Sequence, residues 1–166
     1  LLALLCCKAF GGDTRKVIKI AAIIELFHNF TLIHDDIEDY STVRRGLPAL
    51  HITNGIPIAL NSGDAMYTVI WQKLANLNLS EKKIIQIQKN CANAFREVVE
   101  GQGIELYWHK HEAYRLSEAD YYRMVKGKTS SLIALACVAG ASINTNNIRI
   151  LNSLKTYGEK IGLAFQ

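Results

Sequence analysis

The stretch Ile20-Ala21-Ala22-Ile23-Ile24-Glu25-Leu26-Phe27-His28-Asn29-Phe30-Thr31-Leu32-Ile33-His34 runs directly into Asp35-Asp36-Ile37-Glu38-Asp39. Its first part is largely apolar and reads as a buried helix, and its second packs four carboxylates into five residues. Acid that dense at the end of a buried element is costly unless something cationic collects there. At about 100° per residue, His28, Asp35 and Asp39 fall on one narrow stripe, whereas Asp36 and Glu38 point off it on opposite sides. Two carboxylates one turn apart repel and weaken an isolated helix by about 0.2–0.5 kcal/mol. A divalent cation reverses that sign. Hard oxygen donors with no cysteine nearby favour magnesium or manganese over zinc, and magnesium takes one or two protein carboxylates while water and substrate phosphates fill its other positions.

Downstream of the acidic cluster stands Arg44-Arg45-Gly46-Leu47-Pro48. Guanidinium groups grip phosphate oxygens in bidentate fashion and stay charged at every relevant pH. Carboxylates, metal, diphosphate and arginines therefore form one consistent set. A short acidic run beside a short basic run is, without context, most often a solvated helix end whose ion pairs contribute little. The apolar lead-in and the turn marked by Leu47-Pro48 argue for a site instead.

Apolar residues recur at three- and four-residue spacing over roughly 14–39, 57–76, 81–109, 117–127, 129–141 and 146–165. The intervening segments carry breaker chemistry: Gly11-Gly12-Asp13, Gly46 to Pro57, Asn76 to Ser80, Leu116-Ser117, and Asn144 to Asn147. Ser80 before Glu81 and Ser117 before Glu118 read as helix N-caps, and nothing alternates with period two. The expected architecture is all-α. Both prolines, Pro48 and Pro57, flank one loop region, so long helices are allowed on either side.

With 166 residues, 49% of them hydrophobic and 20% charged, the chain can bury a real core. A net charge of +4 with Lys and Arg scattered over helical faces gives no footprint for nucleic acid. Cys6, Cys7, Cys91 and Cys137 show neither zinc spacing nor a CxxC pair, so reduced core thiols and a cytoplasmic setting are expected. Leu1 to Leu5 is too short to span a bilayer, and no transmembrane helix is read from the sequence.

The segment from Glu25 to Asp39, followed by Arg44-Arg45-Gly46-Leu47-Pro48 and by Gly63-Asp64-Ala65, resembles the trans-type isoprenyl diphosphate synthases, or polyprenyl synthetases. Gly101-Gln102-Gly103-Ile104-Glu105-Leu106 is similar to that family's glycine-glutamine motif. Gly127-Lys128-Thr129 with Ser130-Ser131-Leu132-Ile133 is similar to its lysine-threonine motif. Order and separation agree over essentially the whole chain. The resemblance implies an antiparallel helical bundle of the isoprenoid synthase type with a central cavity, and a homodimer. It also implies a second aspartate-rich motif beyond Gln166 and a Gly-Lys-x-x-Arg segment before Leu1, so residues 1–166 read as one incomplete isoprenoid synthase domain.

The chemistry implied by the resemblance is ionisation of an allylic prenyl diphosphate followed by chain growth on isopentenyl diphosphate. Asp35, Asp36, Asp39 and Lys128 are the catalytic candidates, with Mg2+ (or Mn2+) on Asp35 and Asp39. Arg44, Lys128, Thr129 and Gln166 are expected on the allylic diphosphate, His28 and Arg45 on isopentenyl diphosphate, and Gln102 divides between a site and a packing role. Phe30 and Thr31, five and four residues before Asp35, lie at the expected floor of the cavity and favour short products, farnesyl or geranylgeranyl diphosphate. By helix geometry alone, however, Phe30 is rotated about 140° from Asp35. His34 falls about 100° off the acidic stripe and is read as structural. Tyr107, Trp108, His109 and His111 scatter around a helix and are read as core and surface residues rather than a metal cluster. Two other readings stay open: a non-catalytic regulatory subunit of a heteromeric synthase, whose first acidic motif is usually degraded, and a class I terpene cyclase, which normally lacks the Arg-Arg-Gly sequel and the lysine-threonine motif.

Overall fold

The computed structural model describes residues 1–112 and 115–166. Helices account for nearly all of its regular structure, as the periodicity requires. The chain forms two compact units, one of Ala22–Asn78 and one of Leu1–Ala21 with Leu79–Gln166.

The smaller unit contains most of α2 (Thr14–Glu38), a two-stranded ladder of β1 (Val43–Arg44) and β2 (Leu47–Pro48), a short α3 (Leu50–Asn54) and α4 (Ile56–Ala75). The ladder was not foreseen, because two residues per strand are too few to show alternation. Its register is Val43 opposite Pro48 and Arg44 opposite Leu47, with Arg45 at φ 53° and Gly46 at φ 81° between them. Positive φ at both central residues is the signature of a type I′ hairpin, whose twist matches that of the flanking strands. The Arg-Arg-Gly motif is thus first a turn: glycine takes one left-handed position without strain, and Arg45 takes the other at a cost. Pro57 stands in the first turn of α4, where its missing N–H is harmless.

Helix α2 is long and apolar enough to cross a membrane, with a mean hydropathy of 1.4 over its best window. Val17, Ile20, Ile23, Ile24 and Phe27 of this helix are buried, while Ile18 is 57% exposed.

The larger unit holds α1 (Leu2–Ala9), α5 (Glu81–Lys110), α6 (Glu118–Val125), a π-turn over Lys126–Ser130, α7 (Ser131–Ser142) and α8 (Ile148–Phe165). The break expected at residue 128 does not occur. The chain instead passes from α6 to α7 through the π-turn, which absorbs the shift in hydrophobic phase with one wide turn. Ser117 is the N-cap that its sequence announces, in a full capping box with Asp120. Ser80 begins α5 in extended backbone but makes no side-chain cap bond; its neighbours Glu81 and Lys82 are exposed. Helices α1, α7 and α8 pack around Cys6, Cys137 and Ala141, flanked by Leu2, Phe10, Leu151 and Leu154. All four cysteines are free and buried. Burial pushes the Cys91 thiol up to about 12, and burial with Cys6 alongside does the same for Cys137.

Candidate functional site

In the smaller unit the residues of the acidic cluster differ in burial and contacts. The Asp39 N–H donates to the Asp35 carbonyl at 2.8 Å, so the helical path continues to Asp39 and keeps both side chains on one stripe. Asp35 is half-buried and Asp39 exposed. Asp36 is different: only 4% exposed, it accepts from Arg44 Nε at 2.9 Å and from Arg44 Nη2 as well. That hydrogen bond, with Asp36, Asp35 and Asp39 as anions nearby, holds the Arg44 guanidinium above its ordinary pKa. The sequence reading has Asp36 pointing off the acidic stripe and among the catalytic candidates. Here it anchors the hairpin arginine to α2. The hairpin turn sends the next residue elsewhere, and Arg45 Nη1 reaches Asn29 Oδ1 at 3.5 Å.

His28 lies about two turns before Asp35 and is half-buried. Burial pulls its pKa down; Glu25 opposes this, and Arg45 and Arg44 add to it. The imidazole is therefore neutral at pH 7. A folded pKa below the unfolded value means that proton uptake favours the unfolded chain. The contribution of this group to stability is present above about pH 6.5, its unfolded value, and is lost as pH falls through the folded pKa. An NMR titration of the His28 ring is expected to show a midpoint below 6.5, and a midpoint above that value contradicts the burial and arginine effects.

Below the acidic stripe stands an aromatic layer. The Phe30 ring lies 4.6 Å from His34 and 5.2 Å from Tyr67, Phe27 packs 5.5 Å from Phe30, and Tyr67 meets Trp71 edge-on at 6.0 Å. Gly63, Tyr67 and Trp71 are successive i, i+4 positions on α4. A Cβ on Gly63 would meet the His34 ring, at 2.6 Å from Cδ2, so the Gly63-Asp64 pair of the family motif makes room for that imidazole. Asp64 Oδ1 stands 3.6 Å from His34 Nε2. Thr31 turns its hydroxyl onto the His28 carbonyl at 2.8 Å.

In the larger unit, two helices flank the π-turn and fix its side chains. Lys128 Nζ is paired with Glu105 Oε2, both side chains being 19% exposed. Thr129 Oγ donates to Gln166 Oε1 at 2.6 Å. Gly101 of α5 lies against the turn itself, since a Cβ there would stand 2.7 Å from Gly127 C and 2.8 Å from Lys128 Cα. On α8, Gly158 and Gly162 do likewise against Ala134 and Ser130, and the same stripe ends at Gln166. Gln102 is buried on α5. Ser130 is fully buried, and its hydroxyl has no hydrogen-bond partner among the described residues.

The structure thus brings Asp36 to Arg44, Lys128 to Glu105 and Thr129 to Gln166. Sequence reasoning missed Glu105 as a partner for Lys128 and Tyr67 as a neighbour of Phe30. In each case the available signal was helical spacing: Glu105 lies one turn beyond Gly101, and Tyr67 one turn beyond Gly63. Among the described residues no three His, Cys, Asp or Glu side chains converge as a ready-made metal cage. Two hard carboxylates one turn apart fit magnesium, which asks for no more from a protein.

The all-α fold is that of the isoprenyl diphosphate synthases, whose solved structures it matches. More narrowly, the chain belongs to the polyprenyl synthetase family, whose profile matches residues 1–166. It is 33% identical over 163 residues to the geranylgeranyl diphosphate synthase of Methanosarcina mazei, covering 98% of this chain and 50% of the relative. Among solved structures it is similar to a geranylgeranyl pyrophosphate synthetase from Pyrococcus horikoshii, with a TM-score of 0.95, 32% identity, and coverage of 99% of this chain and 50% of the other. It is also similar to a polyprenyl synthase from Caulobacter crescentus complexed with calcium and isoprenyl diphosphate, with a TM-score of 0.89, 31% identity, and coverage of 99% and 48%. The chain spans about half the length of the curated relatives it matches.

Proposed function

We propose that the full protein is a trans-prenyltransferase that condenses isopentenyl diphosphate with an allylic prenyl diphosphate, giving a longer trans-prenyl diphosphate of the farnesyl or geranylgeranyl class. One observation carries this reading: in a polyprenyl synthetase chain, Asp35 and Asp39 stand one turn apart on one stripe at the end of an apolar helix, the spacing at which two hard carboxylates can share one cation. Asp35 and Asp39 would hold magnesium, whose chemistry is to neutralise the charge that builds on a departing diphosphate. The relative complexed with calcium and isoprenyl diphosphate supports a metal and a diphosphate on such a chain.

Lys128 and Thr129 grip the allylic diphosphate. A lysine held at low exposure against Glu105 is pre-placed, so little reorganisation accompanies the change of partner from carboxylate to diphosphate. Gln166 orients the Thr129 hydroxyl. Arg44, with Nε and Nη2 on Asp36, has Nη1 for a diphosphate oxygen. His28 and Arg45 bind isopentenyl diphosphate, the neutral imidazole donating one hydrogen bond and the guanidinium supplying the charge. The allylic carbon–oxygen bond breaks, the double bond of isopentenyl diphosphate attacks the resulting cation, and a proton passes to the released diphosphate. No side-chain nucleophile takes part. The protein acts as a homodimer in the cytoplasm, a reducing setting that four free, buried thiols fit.

Product length follows from the aromatic layer. Phe30, braced by Tyr67 and Phe27, blocks growth beneath Asp35. Phe30→Ala in the full-length protein is expected to lengthen the product by at least one isoprene unit, and Tyr67→Ala to lengthen it further in the Phe30→Ala background. Chromatography of the dephosphorylated products decides the matter: an unchanged chain length in both variants removes Phe30 from the floor. The same chromatogram tests the reaction class. A linear prenyl alcohol after phosphatase treatment is the expected outcome, whereas a cyclic hydrocarbon formed without isopentenyl diphosphate contradicts the reading.

A further inference from the structure

Helix α5 presents a stripe of three residues to the π-turn: Glu97, Gly101 and Glu105, each one helical turn from the next. Glu105 takes Lys128 and Gly101 admits the backbone, as described above. Glu97 has a separate contact at the far end of the turn. Ser131 Oγ lies 2.6 Å from Glu97 Oε2 and 2.9 Å from the Lys126 carbonyl. The hydroxyl has one proton, and the shorter, charge-assisted bond to the carboxylate is the stronger of the two. The Ser131 backbone N–H donates to that same Lys126 carbonyl and closes the wide turn. Ser131 is buried, while Glu97 and Lys126 line an open cleft of about 760 Å3 together with Glu100, Trp108 and Arg123.

We propose that Glu97 is a positioning residue for the Lys128-Thr129 turn, acting through Ser131. The π-turn is the uncommon helical state, and an α-helical path through the same residues would rotate Lys128 and Thr129 relative to α5. Glu97 resists that rotation by holding Ser131, the residue at which the turn closes. The bond is cross-element: it ties the closing residue to the same helix that carries Glu105, so Lys128 Nζ and its docking carboxylate are registered from one scaffold. Gly127 strengthens the constraint, because a Cβ there would stand 2.7 Å from the Glu97 carbonyl and 3.0 Å from Gly101 Cα. Turn and helix are thus in backbone contact on one side and tied by a side chain on the other. Misplacing a catalytic group by as little as 1 Å costs roughly 10^2-fold in rate.

This inference rests on the reading of Lys128 as a ligand of the allylic diphosphate, and the experiment separates the two. Full-length wild type and the variants Glu97→Ala, Glu97→Gln, Ser131→Ala and Lys128→Ala are assayed by varying each diphosphate substrate in turn. Glu97→Ala and Ser131→Ala are expected to lower kcat/KM for the allylic diphosphate by about tenfold or more, with KM for isopentenyl diphosphate within twofold of wild type. Glu97→Gln, whose amide oxygen still accepts from Ser131, is expected to restore most of the loss. The Glu97→Ala/Ser131→Ala double variant should be no worse than either single one, since both remove the same bond. A merely structural role lowers the melting temperature but leaves this substrate asymmetry and the Gln rescue absent, and either result overturns the proposal. If Lys128→Ala impairs allylic use and neither Glu97→Ala nor Ser131→Ala does, the positioning role alone fails. If Lys128→Ala has no effect, the diphosphate assignment fails and the proposal with it. Ser131→Ala keeps the test decisive should Glu97→Ala not fold.

Discussion

Asp35→Asn and Asp39→Asn, made singly in the full-length protein, are each expected to reduce turnover by about 10^2–10^3-fold or more while leaving the fold intact. Both side chains stand on the outer stripe at the end of α2, one turn apart through the Asp39 N–H to Asp35 carbonyl bond. Removing one charge there relieves the repulsion between like charges on the helix but also weakens the attraction to the Arg44 guanidinium, so thermal stability without metal should change little. The rate falls because a diphosphate leaving group then departs against weaker electrostatic support. Asp36→Asn is the informative contrast. Its carboxylate is buried on Arg44, and a hydrogen bond to a charged partner contributes about 1.5–3 kcal/mol, discounted here because the Arg44 side chain is 38% exposed. Asp36→Asn should therefore lower the melting temperature, loosen the hairpin and reduce activity less than its two neighbours do. Equal kinetic damage from all three substitutions, with equal stability, contradicts the division of the cluster.

Gly101→Ala carries the second large effect. The added Cβ would stand 2.7 Å from Gly127 C and 2.8 Å from Lys128 Cα, and these are backbone atoms that cannot rotate away. Overpacking of this kind costs about 1–3 kcal/mol, set against a helix-propensity gain of about 1 kcal/mol for replacing Gly in a helix interior. Because the clash is entirely with backbone, and the Lys128 N lies closer still, the net loss of stability is expected to be about 1–2 kcal/mol. Activity is where the change should appear, because relief of the clash moves the π-turn and carries Lys128 off its line to Glu105. We expect kcat/KM for the allylic diphosphate to fall by roughly 10^2-fold. Gly103→Ala is the control on the same helix: nothing lies within 4 Å of its Cβ position, and the substitution should be neutral or mildly stabilising. A neutral Gly101→Ala shows that the close approach does not govern Lys128.

The helical pattern and the acidic stripe were legible because both follow from spacing along one element: Asp35 and Asp39 are four apart whatever surrounds them. Partners across elements were not. Nothing in the order of residues says that Asp36 meets Arg44, since that contact depends on a two-residue hairpin too short to leave a periodic trace. The π-turn was hidden for the same reason. A shift in hydrophobic phase at residue 128 looks identical to a break between helices, and the wide turn becomes visible only with the closing bond from the Ser131 N–H. Gly101 stands in a recognisable motif, but which backbone approaches it, and what that fixes, follows only from the turn at Gly127 and Lys128. Ser80 and Ser117 show the limit of local rules, for the same residue type before a glutamate caps one helix with its side chain and not the other.

The most direct test of the whole account is incorporation of radiolabelled isopentenyl diphosphate by the full-length protein, with and without an allylic prenyl diphosphate and with magnesium or a chelator. The account predicts label in a longer prenyl diphosphate only when the allylic partner and magnesium are both present. Label that stays in isopentenyl diphosphate under every condition contradicts it.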